Sequence, residues 1–442
     1  MKFNQFKILK ISFFRRLNKS KKILYNRTMD TTNQKIQRYL FSQVATTPNS
    51  DKWENAISRV APMYKRHDDI RTEFERDYDR ILHSNAYRRL KRKTQVFFAT
   101  SNDHICTRIE HVQLVSSIGS TIAKSLGLNA DLVAAIAIGH DIGHSPFGHH
   151  GETVIDGIIK SYDIHKKFWH EGNSLHFADN IETLIDYEGY EQNMNLTYAV
   201  RDGMICHCGE VDDNWIYPRE EFLDLTTLKN ASEINPYTFE GCVIKIADKI
   251  SYLGRDIEDA LTYDILDTQQ QKELERMIQR MFKDAHLSCL NHTALAHKFT
   301  VDLCKNSSPQ KGIGFSQEYF EIMNEIKSFN FWHICSHKRL YYFKRYAKLV
   351  IETIFEVLLG YYDGINTINK IQKDALYYPI LTSHYKEWLE KYSNIEPRNP
   401  LYKNKILYDL NSVDDYRASC IDFISGATDN FAIKIFNEIT GF

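Results

Sequence analysis

The chain has 442 residues, 43% of them hydrophobic and 26% charged, which supplies a sizeable core and excludes a disordered or low-complexity protein. Only 19 glycines and 9 prolines punctuate that length, which argues against a many-stranded β architecture and for long helices. The net charge of -1 conceals an asymmetry: residues 1–29 carry nine Lys or Arg and no acid, so the body is acidic and a large nucleic-acid surface is not the first expectation.

Residues 1–29 have a short apolar stretch broken by Lys10 and no small-residue cleavage site, so they are expected to form a basic extension outside the fold, with Met29 as a natural start. No apolar run approaches the roughly 18 residues of a membrane-spanning helix. The eight cysteines (106, 206, 208, 242, 289, 304, 335 and 420) read as reduced thiols of a cytoplasmic protein. Residues 30–70 are expected to be an N-terminal arm. From Arg71 to Lys93 apolar residues recur at helical spacing (Phe74, Tyr78, Ile81, Leu82, Ala86, Leu90), and Thr94–Phe98 looks extended, ahead of a polar loop. A helix from Ile109 to Leu126 stops at Gly127, and Asn129 caps a second one. The run Leu132 to Ile138 in that second helix is apolar on every side, so the helix is buried. Further helices are expected at 175–188, 243–263, 269–287, 317–328, 340–360 and 412–440. The class is all-α, with at most a small β element.

The apolar helix runs into Gly139-His140-Asp141-Ile142-Gly143-His144. An isolated Asp buried at its end would be costly unless a cation compensates it. Adjacent His and Asp offer a nitrogen and an oxygen to one metal, although a hydrogen-bonded His–Asp pair in a polar cavity satisfies the dipeptide equally well. His111 lies on the preceding helix, and Asp248 is embedded in a later apolar helix, Val243 to Leu253. Together His111, His140, Asp141 and Asp248 could bring two nitrogens and two carboxylates from three helices. Cys206-His207-Cys208 is a second cluster, but a zinc site needs more ligands, and no second pair lies nearby in sequence.

The order His, His-Asp, Asp resembles the signature of the HD-domain metallohydrolases. Five longer strings look specifically like the deoxyguanosine triphosphate triphosphohydrolases: RTEFERDYDRILHSNAYRRLKRKTQVF (71–97), TRIEHVQLV (107–115), HDIGHSPFGHHGE (140–152), FWHEGNSLHFADNIE (168–182) and IADKISYLGRDIEDA (246–260). The resemblance implies an HD-type catalytic core over 71–290 with a helical C-terminal region, 291–442, packed on it. It further implies hydrolysis of a deoxynucleoside triphosphate to deoxynucleoside and intact triphosphate, with water attacking the α-phosphorus. One divalent metal on His111, His140, Asp141 and Asp248 is implied, Mn²⁺, Fe²⁺ or similar, with Mg²⁺ also serving.

By chemistry and motif position, His149 and Glu152, three apart, form a pair in which the carboxylate orients the imidazole for proton transfer. His144 and His170 fit a polar pocket with phosphate contacts. Arg108 and Lys249 could neutralise phosphate oxygens, although bare sequence makes each an ordinary salt-bridge partner. Gln95, Tyr252 and Asp256 resemble family positions that face the sugar, and Asp248, Tyr252 and Asp256 share one helical stripe. Many relatives carry a Tyr where this chain has Cys335, within Ile334 to Lys338, which bears on base recognition. Relatives assemble into homo-oligomers, often with nucleotide or single-stranded DNA effectors, and the same is expected here; no membrane partner is. Two alternatives stay open: another HD-type phosphohydrolase, or a regulatory homologue that binds nucleotide or single-stranded nucleic acid.

Overall fold

The computed structural model describes residues 39–63, 68–97, 104–164, 167–208, 213–230, 234–282 and 291–441; the basic segment 1–29 lies outside them. The described chain runs through α1 (Trp53–Ile57), α2 (Glu73–His83), α3 (Asn85–Arg89), α4 (Arg108–Leu126), α5 (Ala130–Gly139), α6 (Gly148–Ser161), α7 (His170–His176), α8 (Tyr198–Ile205) and α9 (Phe239–Thr262). It continues through α10 (Thr268–Gln279), α11 (His292–Asn306), α12 (Gln317–Phe329), α13 (Leu340–Gly360), α14 (Thr367–Lys373), α15 (Pro379–Tyr392), α16 (Val413–Gly426) and α17 (Asp429–Thr440). Strands β1 (Thr183–Ile185) and β2 (Glu191–Asn193) pair antiparallel, the only sheet among the described residues. The fold is all-α with one small β element. No helix among the described residues is long and apolar enough to cross a membrane.

Local chemistry starts and stops the helices that matter. Thr72 and Glu75 form a capping box at α2, the Thr72 hydroxyl accepting from Glu75 N at 3.1 Å and Thr72 N donating to Glu75 Oε2 at 2.8 Å. Thr107 and Glu110 repeat the device at α4. Gly127, at φ +85°, ends α4 in the left-handed region, and Asn129 Oδ1 then accepts from Asp131 N and Leu132 N at 3.1 and 3.2 Å to start α5. With apolar residues all round, α5 is buried among α2, α4, α8 and α9. Each fully buried Leu, Ile or Val there contributes about 1.5–3 kcal/mol.

The buried side chains form two large clusters. One is built around α4, α5 and α9 and extends through Leu295, Phe299 and Ile334. The other packs Ile155, Ile158 and Ile159 of α6 against Val350, Ile351, Ile354 and Phe355 of α13, together with α15, α16 and α17. A clip joins them. The Asp429 carboxylate, in the first turn of α17, accepts from Thr94 N at 2.9 Å, from the Thr94 hydroxyl, and from Phe147 N at 2.8 Å. Beside it the buried Lys93 ammonium donates to the carbonyls of His144 and Ser425.

Four expected elements come out differently. Residues 175–188 are not one helix: α7 passes into a single wide turn, Phe177–Ile181, and then into β1. Local turn chemistry overrides the apolar spacing there, because Asp186 Oδ1 accepts from Glu188 N and Tyr190 N at 2.9 Å and Gly189 takes φ +89°. Residues 412–440 are two helices, because Thr428 accepts from Phe431 N at 3.1 Å and caps a new start. The extended segment after Lys93 is reduced to one antiparallel bridge, Thr94 with Thr107, and Phe98 lies outside the described residues. The helix expected over 269–287 ends at Gln279.

Candidate active site and metal centre

Helix α4 carries His111, the C-terminal end of α5 carries His140 and Asp141, and α9 carries Asp248. Their donor atoms converge. His111 Nε2 lies 2.9 Å from Asp248 Oδ1, and His140 Nε2 lies 3.6 Å from Asp141 Oδ1 and 4.0 Å from Asp248 Oδ1. His140 Nδ1 is 2.6 Å from the carbonyl of Ala137, so it holds the ring proton and Nε2 presents a lone pair. That Nε2 is buried and has no hydrogen-bond partner. An orphaned buried acceptor is costly, and a cation among two imidazoles and two carboxylates satisfies it. The residues therefore fit the divalent metal that the HD pattern implies, and Mn²⁺- or Fe²⁺-type ions suit the mixed nitrogen and oxygen set.

The electrostatics of the four groups agree with that role. Burial holds His140 down to about 4, so it is neutral and ready to ligate. Burial would raise Asp248, but the hydrogen bond and charge of His111 bring it to about 2. Burial would lower His111, yet its bond to Asp248 carries it above its ordinary value. Asp141 stays well below the carboxylate range in spite of burial, because His144 and Arg108 face it.

A second group surrounds Glu152. Its Oε2 is 3.3 Å from His149 Nδ1 and 3.1 Å from His170 Nδ1, and its Oε1 accepts from His170 N at 3.1 Å. His144 stacks on His170 with ring centroids 3.9 Å apart, and its Nε2 reaches Asp141 Oδ1 at 3.2 Å. His144 thus ties this group to the metal ligands. The His149 side chain is 69% exposed and that of His170 only 8%, so His149 is open to solvent and His170 is enclosed. Burial opposes a charge on His170, but Glu171 and Glu152 raise its pKa well above the ordinary value. The hydrogen bonds from His149 and His170 lower Glu152 although burial works the other way. The result is an imidazolium–carboxylate pair beside the metal ligands.

Backbone approach makes this possible. Gly143 lies so close to α7 that a Cβ on it would stand 2.0 Å from Ser174 N. Gly143 N donates to Ser174 Oγ at 3.0 Å, Asn173 Nδ2 donates to Gly143 O at 2.6 Å, and Ser174 Oγ donates to His140 O at 2.7 Å. These bonds seat α7, and with it His170, on the His-Asp turn. Phe147, at φ +65°, and Gly148, at φ +62°, bend the chain sharply into α6, and the Asp429 clip holds the bend.

The remaining predicted residues divide. Arg108 Nη1 donates to Asp141 Oδ2 at 2.6 Å with both side chains buried, so the guanidinium is engaged with one of the converging carboxylates. The Gln95 carbonyl lies against Gly148, and its buried side-chain Oε1 has no partner. Lys249 and Tyr252 line a small cleft with Asn214, Phe320 and Lys327. Asp256 is buried further along α9; burial and the neighbouring Asp259 push it up to about 8. Sequence reasoning did not single out Glu171, His207 and Cys208 for this neighbourhood. His207 packs its ring 4.6 Å from that of His140. Only the tertiary fold brings His207 and Cys208 to His170 and Glu171; the CHC spacing was the one available signal.

The HD domain family matches residues 108–253, the span from Arg108 to Leu253 that holds all four converging ligands. A deoxyguanosinetriphosphate triphosphohydrolase-like protein of Rickettsia bellii (strain RML369-C) is 32% identical over 382 residues, covering 84% of this chain and 92% of the relative. Like-named proteins of Caldanaerobacter subterraneus subsp. tengcongensis and Clostridium tetani are 32% and 30% identical, covering 68% and 90% of this chain and 76% and 93% of the relatives. Similarity at this level and coverage, over a buried two-imidazole, two-carboxylate centre, places the chain in the HD-domain family of deoxyguanosinetriphosphate triphosphohydrolase-like proteins, a metal-dependent phosphohydrolase.

Proposed function

We propose that this chain hydrolyses deoxynucleoside triphosphates, dGTP best, to the deoxynucleoside and inorganic triphosphate. The observation that carries the reading is the junction of the two groups: His144 links Asp141 of the metal ligands to His170 of the Glu152 cluster. A divalent cation on His111, His140, Asp141 and Asp248 would supply charge withdrawal from a phosphate oxygen and a more acidic water. Water oxygen attacks the α-phosphorus, the bond from phosphorus to the 5′ oxygen breaks, and that oxygen takes up a proton. His149, oriented by Glu152 and exposed to solvent, is suited to deliver it. His170, kept cationic by Glu171 and Glu152, offsets phosphate charge.

Sugar choice belongs to α9 and Gln95. Asp256, protonated at neutral pH, can donate to the 3′-hydroxyl, Gln95 can add a contact there, and the Tyr252 ring can press on C2′ and exclude a 2′-hydroxyl. Lys249, beside Tyr252, is suited to the phosphate tail. The names of the relatives support dGTP as the substrate. Assembly into a closed homo-oligomer, with nucleotide or single-stranded DNA as effector, belongs to the same proposal, and light scattering that finds a single 51.8 kDa species at micromolar concentration would refute the assembly. The decisive experiment incubates the protein with each dNTP and NTP under Mn²⁺ and Mg²⁺ and resolves nucleoside from phosphates. Intact triphosphate is expected; orthophosphate, pyrophosphate or equal rates on GTP and dGTP would overturn the reading.

A further inference from the structure

His207 is built like the metal ligand His140. Each follows the C-terminal end of a helix, α8 and α5 respectively, and each brings Nδ1 to 2.6 Å from the carbonyl three residues back, Met204 or Ala137. In both rings this bond retains the proton on Nδ1 and leaves Nε2 as a lone-pair donor, the orientation that metal-bound imidazoles require. His207 packs beside His140 and also belongs to a second group of donor atoms. The donor atoms of His170, Glu171, His207 and Cys208 all lie within 4.8 Å of one another, three of the four residues buried and Cys208 half-buried. The His170 and His207 rings are 5.8 Å apart, and His170 Nδ1 lies 3.3 Å from Glu171 Oε2.

We propose that His170, Glu171, His207 and Cys208 form a second cation site, distinct in chemistry from the His/His-Asp/Asp centre and selective for thiophilic ions of the Zn²⁺ type. One sulfur, two imidazole nitrogens and one carboxylate make a tetrahedral zinc-type donor set, whereas the neighbouring centre has no sulfur. The thiolate and the carboxylate together balance a divalent charge, and binding releases both the Cys208 proton and the proton that makes His170 cationic. Lys245 of α9 faces the cluster, and burial lowers its pKa, which lightens its repulsion of a cation. The site shares His170 with Glu152, so an ion held there takes His170 out of the imidazolium–carboxylate pair. Thiophilic metal therefore turns hydrolysis down. Binding of the ion stands by itself; only its inhibitory effect rests on the proposed hydrolase reading.

The test uses the full-length protein, stripped of metal, reduced, and titrated with Co²⁺ without oxygen. A near-ultraviolet thiolate-to-cobalt charge-transfer band should appear and saturate at one equivalent per chain for this site. It should persist in Asp248→Asn, which disables the neighbouring centre, and in Cys206→Ser. Cys208→Ser should abolish it, and His207→Gln should weaken Co²⁺ binding at least tenfold with an unchanged circular-dichroism melt. Under Mn²⁺, added Zn²⁺ should inhibit the unmodified enzyme and should inhibit Cys208→Ser at least tenfold more weakly. No band in the unmodified protein, or a band that survives Cys208→Ser and is lost in Cys206→Ser, would overturn the site. A correct band without Zn²⁺ inhibition would overturn the regulatory effect alone.

Discussion

The two halves of the proposed active site stand on different cores. His111, His140, Asp141 and Asp248 rise from α4, α5 and α9, whose apolar faces make the first buried cluster. His149 and Glu152 ride on α6, whose Ile155, Ile158 and Ile159 are buried in the second cluster with α13. The metal half is enclosed by α4, α5 and α9, within residues 108–262. The half that carries His149 and Glu152 depends on α13, about 190 positions further on, and on the helices after it. Among the contacts that hold the halves in register are Gly143 on Ser174, Asp429 on Thr94, Lys93 on Ser425, and His144 between Asp141 and His170. Binding and proton transfer should therefore be separable by mutation.

The largest separation should come from the ligands themselves. His140→Ala or Asp248→Ala should lose both bound metal and hydrolysis while the protein stays folded, as bound-metal analysis and a thermal melt would show. Full activity in either variant would break the assignment of the metal half. Next, His149→Ala should reduce kcat roughly 10²–10⁴-fold with metal stoichiometry unchanged. A parallel loss of metal would mean that the two halves are not independent.

The cores give a subtler contrast. Ile155→Ala, at a fully buried position of the second cluster, should cost about 2–5 kcal/mol of stability and lower kcat while leaving metal affinity intact. Asp429→Asn weakens the clip and should act in the same direction by about 1–3 kcal/mol. Chemical denaturation together with metal titration separates these effects. If Ile155→Ala lowered metal affinity as much as kcat, the two-core comparison would fail.

Proton linkage provides two finer checks. Asp256 is raised to about 8 by burial and by Asp259, with Asp248 adding to the rise and His111 and Arg108 opposing it. Its carboxyl is therefore protonated and able to donate below that pH. kcat/KM for dGTP should fall about tenfold per pH unit as the pH rises past about 8, and Asp256→Asn should flatten the fall. Tyr252→Ala should narrow the preference for dGTP over GTP. In the metal half, His111 is raised above its ordinary 6.5 by its bond to Asp248, so it keeps its proton to higher pH than a free imidazole, and a metal ligand must give that proton up. Mn²⁺ binding near pH 7 should release a proton, visible as a dependence of calorimetric enthalpy on the buffer, and affinity should weaken as the pH falls. Absence of that buffer dependence would exclude His111 as the group that loses the proton.

What could be read from the chain alone follows from short-range physics. Gly127 and Asn129 mark the ends of α4 and α5 because a left-handed residue and a side-chain cap act within a few positions. The all-round apolar run of α5 could only be buried, and an Asp at its end called for a compensating charge. The family strings placed His111, His140, Asp141 and Asp248 in order, and the fold brings their atoms together. Tertiary structure decided the rest. The Asp186–Gly189 turn replaced the expected helix at 175–188 because one carboxylate satisfying two backbone amides outweighs apolar spacing. Arg108 read from sequence as a salt-bridge partner or a phosphate contact, and packing supplied the partner, Asp141, 33 positions away. His207 and Cys208 had no visible partners because theirs, His170 and Glu171, lie on another helix. Spacing along one helix reports which side chains share a face. Only packing between helices reports which faces meet, and here the site is built where they meet.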